Sequence, residues 1–532
     1  MERFVVGVDV GTGSARAGVF AVADGTRKGM ATHPIKLWRP QPEFVEQSSD
    51  DIWSAVGIAV RGAMAQAKVV PESVVGIGFD ATCSLVVLGE GDVPLTVSPS
   101  GNAEQNIIVW MDHRAIAETD AINASDHDVL KYVGGAISPE MEPPKLQWLK
   151  KNLPETWKKA TKFLDLADFL TYKASGQDVR SLCTNVCKWT YLGHESRWDA
   201  GFLASLGLDD PRITENSIRP LGERIGPLTS EAAAHFGLTT ECFVAVGIID
   251  AHAGGLGLLG AADLEHSLAL IGGTSNCHMA ASKEAIFVPG VWGPYFGAMV
   301  PGYWLTEGGQ SAAGALIDYT IEDSSAFRNL AAQAESEETT VYALLNQEAQ
   351  KLADAEGLSD VAYLTRHLHV LDFHLGNRSP FADPHARGTV EGLSLDKSLA
   401  QDTRLYVATV QALAYGTRAI VEAMNAAGFA ITQLVATGGG TKNPLWLQQH
   451  ADACGMPITL GKESESVLLG SAILAAHASG DYASVTEAMT AMGRAGETIT
   501  PNLATRAFHD AKYTIWRDLY DTQKRHREIM SR

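Results

Sequence analysis

Two carboxylates placed at the ends of apolar runs carry the first chemistry in this sequence. Asp9 stands in FVVGVDVGTGSARAGVF (Phe4 to Phe20), directly before a Gly-Thr-Gly-Ser turn, and Asp250 stands in VGIIDAHAGG, before a Gly/Ala-rich run. A buried carboxylate without a partner is costly, so each acid in such a setting requires one. The glycine-rich turns suggest the partner. Backbone N–H groups of a tight turn cradle an anion, and the turn Gly11 to Ser14 is echoed by Gly272 to Ser275 in SLALIGGTSNCHMAAS. Two such turns facing each other could grip a triphosphate from both sides, with magnesium neutralising its charge. Asp9 then orients magnesium-bound water, and Asp250 takes the proton of a hydroxyl that attacks the γ-phosphate. The plainer alternatives are a buried Asp9 bonding turn amides and an Asp250 that caps a helix. A third glycine cluster, ATGGGTKNPLW (Ala436 to Trp446), permits close backbone approach to a flat or anionic ligand. Taken alone it reads more simply as a loop turn.

These residues need elements to position them. FVVGVDV is β-branched and apolar and reads as a buried strand, and ARAGVFAV after the turn reads as a second strand ending at Asp24-Gly25. A dinucleotide-binding fingerprint requires a helix after its glycines, and Arg16 occupies the place of its third glycine. No Gly-Lys-Ser/Thr follows, so the turn is not a P-loop. What remains is a phosphate-binding β-hairpin. An amphipathic helix is expected over about Ser49 to Lys68. Two strands follow in VVGIGFDATCSLVVLG, and NIIVWMDHRA runs from strand to helix. KLQWLKKNLPETW reads as helix up to Pro154, FLDLADFLTYKASG as one helix stopped by Gly176, and CFVAVGIIDAHAGGLGLLG as strand, turn and helix. The strand–turn–strand unit then restarts at Ser267, which predicts two lobes of similar fold, residues 1–257 and 258–532.

Size and composition agree. A chain of 532 residues exceeds one domain, and 45% hydrophobic with 20% charged residues is ordinary for a globular protein. A formal charge of −20 disfavours nucleic acid and anionic membranes as partners. Six cysteines make no disulfide framework. Cys183 and Cys187 in CTNVC have no nearby partner ligands in sequence and read as ordinary thiols, and His367, His369 and His374 match no metal motif. With no signal-peptide core and no apolar run long enough to span a bilayer, a cytoplasmic location is expected.

GVDVGTGSARAGVF, GIIDAHAG, LIGGTSNCHM and ATGGGTKNPLW together resemble the FGGY carbohydrate kinases over nearly the whole chain, in that family's order. FHLGNRSPFADPHARG, WLTEGGQSAAG, TNVCKWTY and the Ile-Asp-Ala-His form are most similar to its ribulokinase-like pentulose kinases. The resemblance implies an α/β fold of two ribonuclease-H-like lobes, as in actin and hexokinase, with the active site in the cleft between them. It implies ATP and Mg²⁺, and Asp250 as catalytic base with Asp9 and Asp250 near the metal. Thr12, Gly13 and Ser14 would meet the phosphates from one side, Gly273 and Thr274 with Gln310 from the other, and Gly439, Gly440 and Asn443 would border the adenosine. The sugar would be held by Asp80, Thr82, Cys83, Trp110, Asp112, Arg114, Lys188 and Glu307. Glycerol kinases carry Arg-Glu, and xylulokinases Met-His, where this chain has Thr82-Cys83, which favours D-ribulose over glycerol or D-xylulose. L-ribulose, D-xylulose and ribitol are the alternative substrates, a homodimer is compatible with the family, and an actin-like nucleotide-switch ATPase is the alternative of another class. A dinucleotide oxidoreductase is disfavoured by the strand that follows the glycines.

Overall fold

The computed structural model describes residues 2–125, 127–260 and 262–531. The opening strand, Phe4–Val10, is buried along its whole length. Val5, Val6, Val8 and Val10 are fully inaccessible, each contributing roughly 1.5–3 kcal/mol relative to an exposed position. It pairs antiparallel with Ser14–Ala21, which pairs antiparallel with Arg27–Pro34. The helix Ser49–Ala67, capped by Ser48 and ended by Lys68 in the left-handed region, carries the chain across to Val74–Ala81. That strand lies parallel to Phe4–Val10 on its other side and is followed by Phe243–Ala245.

The second half repeats this plan. Ser267–Gly272, Asn276–Ser282 and Trp304–Gln310 form an antiparallel meander. Gln433–Thr437 then pairs parallel with Ser267–Gly272, and Ile458–Gly461 extends the sheet. The crossover between the meander and the parallel strands includes the long helix Leu399–Ala427. Both hairpins therefore carry their glycine turns at the same topological place, which is the duplication legible in the sequence. Among the described residues no helix is long and apolar enough to cross a membrane.

One local expectation is corrected and another extended. Phe163, Leu164 and Asp165 do not begin a helix. They end the strand Ala160–Asp165, part of a small four-stranded sheet, and the helix starts at Leu166 with Asp165 accepting from the Ala167 N–H. A short apolar run has no period that separates the two states, and the cap decides. Helix Glu142–Asn152 stops before Pro154, but that proline opens a further helix, Pro154–Lys159. Its missing N–H costs nothing in a first turn.

The lobes are joined by two packed helices, Asp250–Leu259 and Ser466–Ala478. The division expected at residues 257 and 258 falls inside the first of them. Where the helices cross, a Cβ on Gly257 would lie 2.1 Å from the Ser466 carbonyl oxygen, and one on Gly470 2.0 Å from that of Ala253. Helix Ser466–Ala478 also lies on the first sheet, where Cβ atoms on Gly7, Gly76 and Gly78 would meet its carbonyls at 2.0, 2.6 and 2.1 Å. Helix propensity alone makes Gly470→Ala stabilising by about 1 kcal/mol. The backbone contact reverses the sign. We expect Gly470→Ala to destabilise by about 1–3 kcal/mol, measured as a lower midpoint in urea unfolding.

Candidate functional site

Strand register brings the carboxylates together. Asp9 is level with Asp80 on the neighbouring parallel strand. The short strand Ile248–Ile249 pairs with Asp80 and Ala81, so Asp250, the next residue, follows at the same edge. Three acids thus stand at the carboxyl ends of three adjacent parallel strands, where open α/β sheets place their ligands. Asp250 is the first residue of its helix, not its cap, and its Oδ1 accepts from the Ala251 N–H at 2.7 Å.

Their electrostatics follow from crowding. Burial, with Asp9 nearby, raises the Asp250 carboxyl to about 6. Burial also raises Asp9, against the pull of the Arg16 guanidinium that pairs with it across the hairpin. Asp80 lies well above the usual carboxylate range through burial and the adjacent Asp9, although the Ser471 hydroxyl, from the helix of the other half, donates to its Oδ2 at 2.6 Å. Oδ1 of Asp9 and Oδ1 of Asp80 are buried without hydrogen-bond partners. Unsatisfied hard oxygens beside the phosphate turn fit Mg²⁺, which keeps much of its water shell.

Beside this group opens a cavity of about 240 Å³. Its first-half wall includes Thr12, Thr82, Cys83, Trp110, Lys188 and Asp250, and its second-half wall Ser275, Cys277, Trp292, Tyr295, Glu307 and Arg378. Trp110 is held by its Nε1–H, which donates to Thr12 Oγ1 at 2.9 Å. Burial disfavours charge on Lys188, but Cys83, Glu140, Tyr295 and Glu307 raise its ammonium above the usual lysine range. Burial pushes the Cys83 thiol up to about 12. Glu307 lies 3.2 Å from His252 Nε2, and this contact holds its carboxyl low despite burial. His252 Nδ1 lies 3.2 Å from Cys183 Sγ. Burial opposes the ionisation of both groups, yet Cys187 and the imidazole bring the Cys183 thiol down to about 5, and Cys183 and Glu307 lift His252 to about 10.

A second cavity, about 410 Å³, is bordered by Gly273, Thr274, Gly439, Gly440, Asn443 and Trp446. Gly438, at φ +93°, lies so close to Gly272 that a Cβ would stand 2.3 Å from its carbonyl oxygen. Asn443 caps helix Pro444–Cys454 and donates to the Tyr406 hydroxyl at 2.8 Å. Gly13 and Ser14 lie in and after the first turn, which Gln47 braces by donating to the Thr12 carbonyl at 2.8 Å.

Four expected site residues lie elsewhere. Asp80 is off the wall of the 240 Å³ cavity and beside Asp9. Asp112 and Arg114 form a buried cluster with Glu46, in which Arg114 donates to Asp112, Glu46 and the Val97 carbonyl and lies over the Phe44 and Trp148 rings. That guanidinium has no free edge for a substrate. Gln310 is behind the second cavity, bonded to Asn276, Asp372 and the Leu413 carbonyl. Glu140, Arg378 and His252, which no sequence motif singled out, also line the first cavity. Arg378 stood in the quoted Gly-Asn-Arg-Ser-Pro segment and His252 two residues after Asp250, whereas Glu140 carried no local signal.

Comparison with known proteins agrees with this architecture. The N-terminal domain of the FGGY family of carbohydrate kinases matches residues 4–257, and the C-terminal domain of that family matches residues 268–479. The chain is 48% identical over 549 residues to the human FGGY carbohydrate kinase domain-containing protein, covering 100% of this chain and 98% of that one. It is 40% identical to a D-ribulokinase of Saccharomyces cerevisiae, over 92% of this chain and 74% of that one. The fold superposes on xylulose kinase from Rhodospirillum rubrum with a TM-score of 0.82 at 24% identity, covering 98% of this chain and 99% of the other. Two lobes joined by crossing helices, a glycine turn in each, and matches across both halves lead to one conclusion: this chain belongs to the ribulokinase-like branch of the FGGY carbohydrate kinases and is a sugar kinase.

Proposed function

We propose that the protein transfers the γ-phosphoryl group of ATP to the terminal hydroxyl of an open-chain pentulose, converting D-ribulose to D-ribulose 5-phosphate. The observation that carries this reading is the position of Asp250. It lines the sugar-side cavity and also belongs to the carboxylate group beside the first phosphate turn. Thr12 and Ser275, one from each glycine turn, line the same cavity. A hydroxyl in that cavity therefore meets a base and a phosphate site together.

The chain's own groups then divide the work. Lys188 and Glu307 pair with sugar hydroxyls, and groups left unpaired by a wrong stereoisomer supply the discrimination. Trp110 and Trp292 wall the cavity. Thr12, Gly13 and Ser14 receive the phosphates from one lobe and Gly273 and Thr274 from the other, while Gly439, Gly440 and Asn443 border the adenosine. As the sugar oxygen bonds to the γ-phosphorus and the β–γ bridging bond breaks, Asp250 accepts the hydroxyl proton and ADP leaves. Asp9 and Asp80, with Asp250, would hold Mg²⁺ largely through its water. When bound, the ion neutralises charge on the phosphate oxygens. The two lobes, drawn from the sequence as residues 1–257 and 258–532 but sharing helix Asp250–Leu259, would close about the crossing helices to exclude water. The S. cerevisiae relative named a D-ribulokinase supports D-ribulose as the sugar.

A coupled ADP-release assay across D-ribulose, L-ribulose, D-xylulose and ribitol tests the substrate, with the highest kcat/KM expected for D-ribulose. A higher value for any of the others would overturn that choice. Asp250→Asn should lower kcat by about 10²–10⁴-fold, the usual contribution of a positioned base, with an unchanged circular dichroism spectrum. Near-normal turnover would remove Asp250 from the role. The raised carboxyl also predicts a pH profile. Below about pH 6 Asp250 is protonated and cannot accept a proton, so log kcat/KM for the sugar should fall with an acid limb near pH 6. A limb near the ordinary aspartate value would contradict the assignment.

A further inference from the structure

The geometry points to a site for one thiophilic divalent cation, with zinc as the type, formed by Cys183, Cys187 and His252 beneath the sugar-side cavity. The two cysteines sit one turn apart on helix Leu182–Lys188, so their thiols share a face. In sequence they formed only half of a ligand set. The fold supplies the missing ligand from 69 residues further on, where His252 Nδ1 reaches to 3.2 Å from Cys183 Sγ. One donor atom from each of the three residues lies within 4.8 Å of the others, and all three residues are buried. A tetrahedral zinc site with Zn–S of about 2.3 Å and Zn–N of about 2.0–2.1 Å has ligand edges of roughly 3.3–3.8 Å. The cluster therefore closes on an ion by side-chain adjustment, with no change of backbone.

Two further features fit a metal centre better than a chance contact of thiols. His252 presents its other nitrogen, Nε2, to Glu307 at 3.2 Å. A carboxylate on the distal nitrogen is the arrangement that fixes the tautomer and orientation of a metal-bound imidazole. Cys187 and His252 also line the sugar-side cavity, so the cluster has an entry path from the cleft and a fourth coordination position that faces it. The site is chemically distinct from the carboxylate group of Asp9, Asp80 and Asp250. Thiolate and imidazole select zinc-like ions, whereas carboxylate oxygens select magnesium.

Occupation has a consequence for the kinase, which rests on the function proposed above. An ion at this site holds His252 and through it Glu307, and its open position competes with the sugar for the cavity. Zinc is therefore an inhibitor that raises the KM for sugar at saturating MgATP.

Cobalt titration of the intact, reduced protein reads the site directly and needs no sugar. One equivalent of Co²⁺ should produce a near-ultraviolet thiolate-to-cobalt charge-transfer band and strong tetrahedral visible bands, both displaced by one equivalent of Zn²⁺. Cys183→Ser should roughly halve the charge-transfer intensity, and the double variant Cys183→Ser/Cys187→Ser should abolish it. Glu307→Gln should weaken Zn²⁺ binding about 10–100-fold, the usual effect of losing such a partner. Absence of the band in natively folded wild-type protein overturns the site, as does its persistence in the double variant, since other thiols would then hold the ion. If the double variant does not fold, unchanged charge-transfer intensity in the Cys183→Ser variant overturns it equally. In the kinase assay, Zn²⁺ should raise the sugar KM and a chelator should reverse the effect. Full inhibition retained by Cys183→Ser at the same Zn²⁺ concentration overturns the inhibitory role. Failure of every sugar to be phosphorylated would count against the kinase reading alone, because the optical titration stands apart from it.

Discussion

The structure depends on one close approach of two main chains. Helices Asp250–Leu259 and Ser466–Ala478 touch backbone to backbone at Gly257 and Gly470, where no side chain fits between them. The second helix rests in turn on glycines of the first sheet. A segment near the C-terminal end of the chain therefore completes the packing of the N-terminal lobe. Its Ser471 donates to Asp80 across 391 residues of sequence. Its preceding residue, Glu465, meets Arg16 at 3.2 Å, and Arg16 pairs with Asp9. The scaffold between the lobes and the electrostatics of the site are one construction.

That construction concentrates negative charge. Register alone sets Asp9 and Asp80 level, and the next strand delivers Asp250 to the same edge. Burial raises all three carboxyls, and Arg16 is the cation paired with Asp9. Buried oxygens left without partners make the group a poor structural feature and a good receptor for a hydrated cation. The sugar-side cavity has the opposite balance. Lys188 and Arg378 line it together with Glu140 and Glu307, so cations and carboxylates share its wall. Arg114 and Asp112 lie outside this cavity's lining. They bind their own turn to the short strand Glu46–Gln47 in a cluster whose charges satisfy one another.

Much of this was legible before any coordinates. The hairpin at Gly11–Ser14 and its echo at Gly272–Ser275 are local features, and so are the strand before Asp250 and the glycines at 438–440. Short-range sterics and apolar runs encode them, and the family follows from their order. The misplacements share a cause. The family resemblance of VWMDHRA puts Arg114 at the substrate, but its partner Glu46, 68 residues away, draws it into a buried cluster. Gln310 ends its strand after a glycine pair, and Asn276, Asp372 and the Leu413 carbonyl draw it behind the pocket. The family resemblance puts Asp80 with the sugar, whereas parallel register sets it level with Asp9.

The sequence by itself determined the two glycine-turn hairpins, the duplicated plan and the identity of Asp9 and Asp250 as the acids to watch. Turn conformation and strand burial are set within a few residues, and the chain carries that information openly. Only the tertiary structure decided which groups share a space. It joined Cys183 to His252, set Glu140 and Arg378 around the cavity, and paired Asp80 with Ser471. Contacts between segments tens to hundreds of residues apart follow from register and helix crossing, and no local pattern records them.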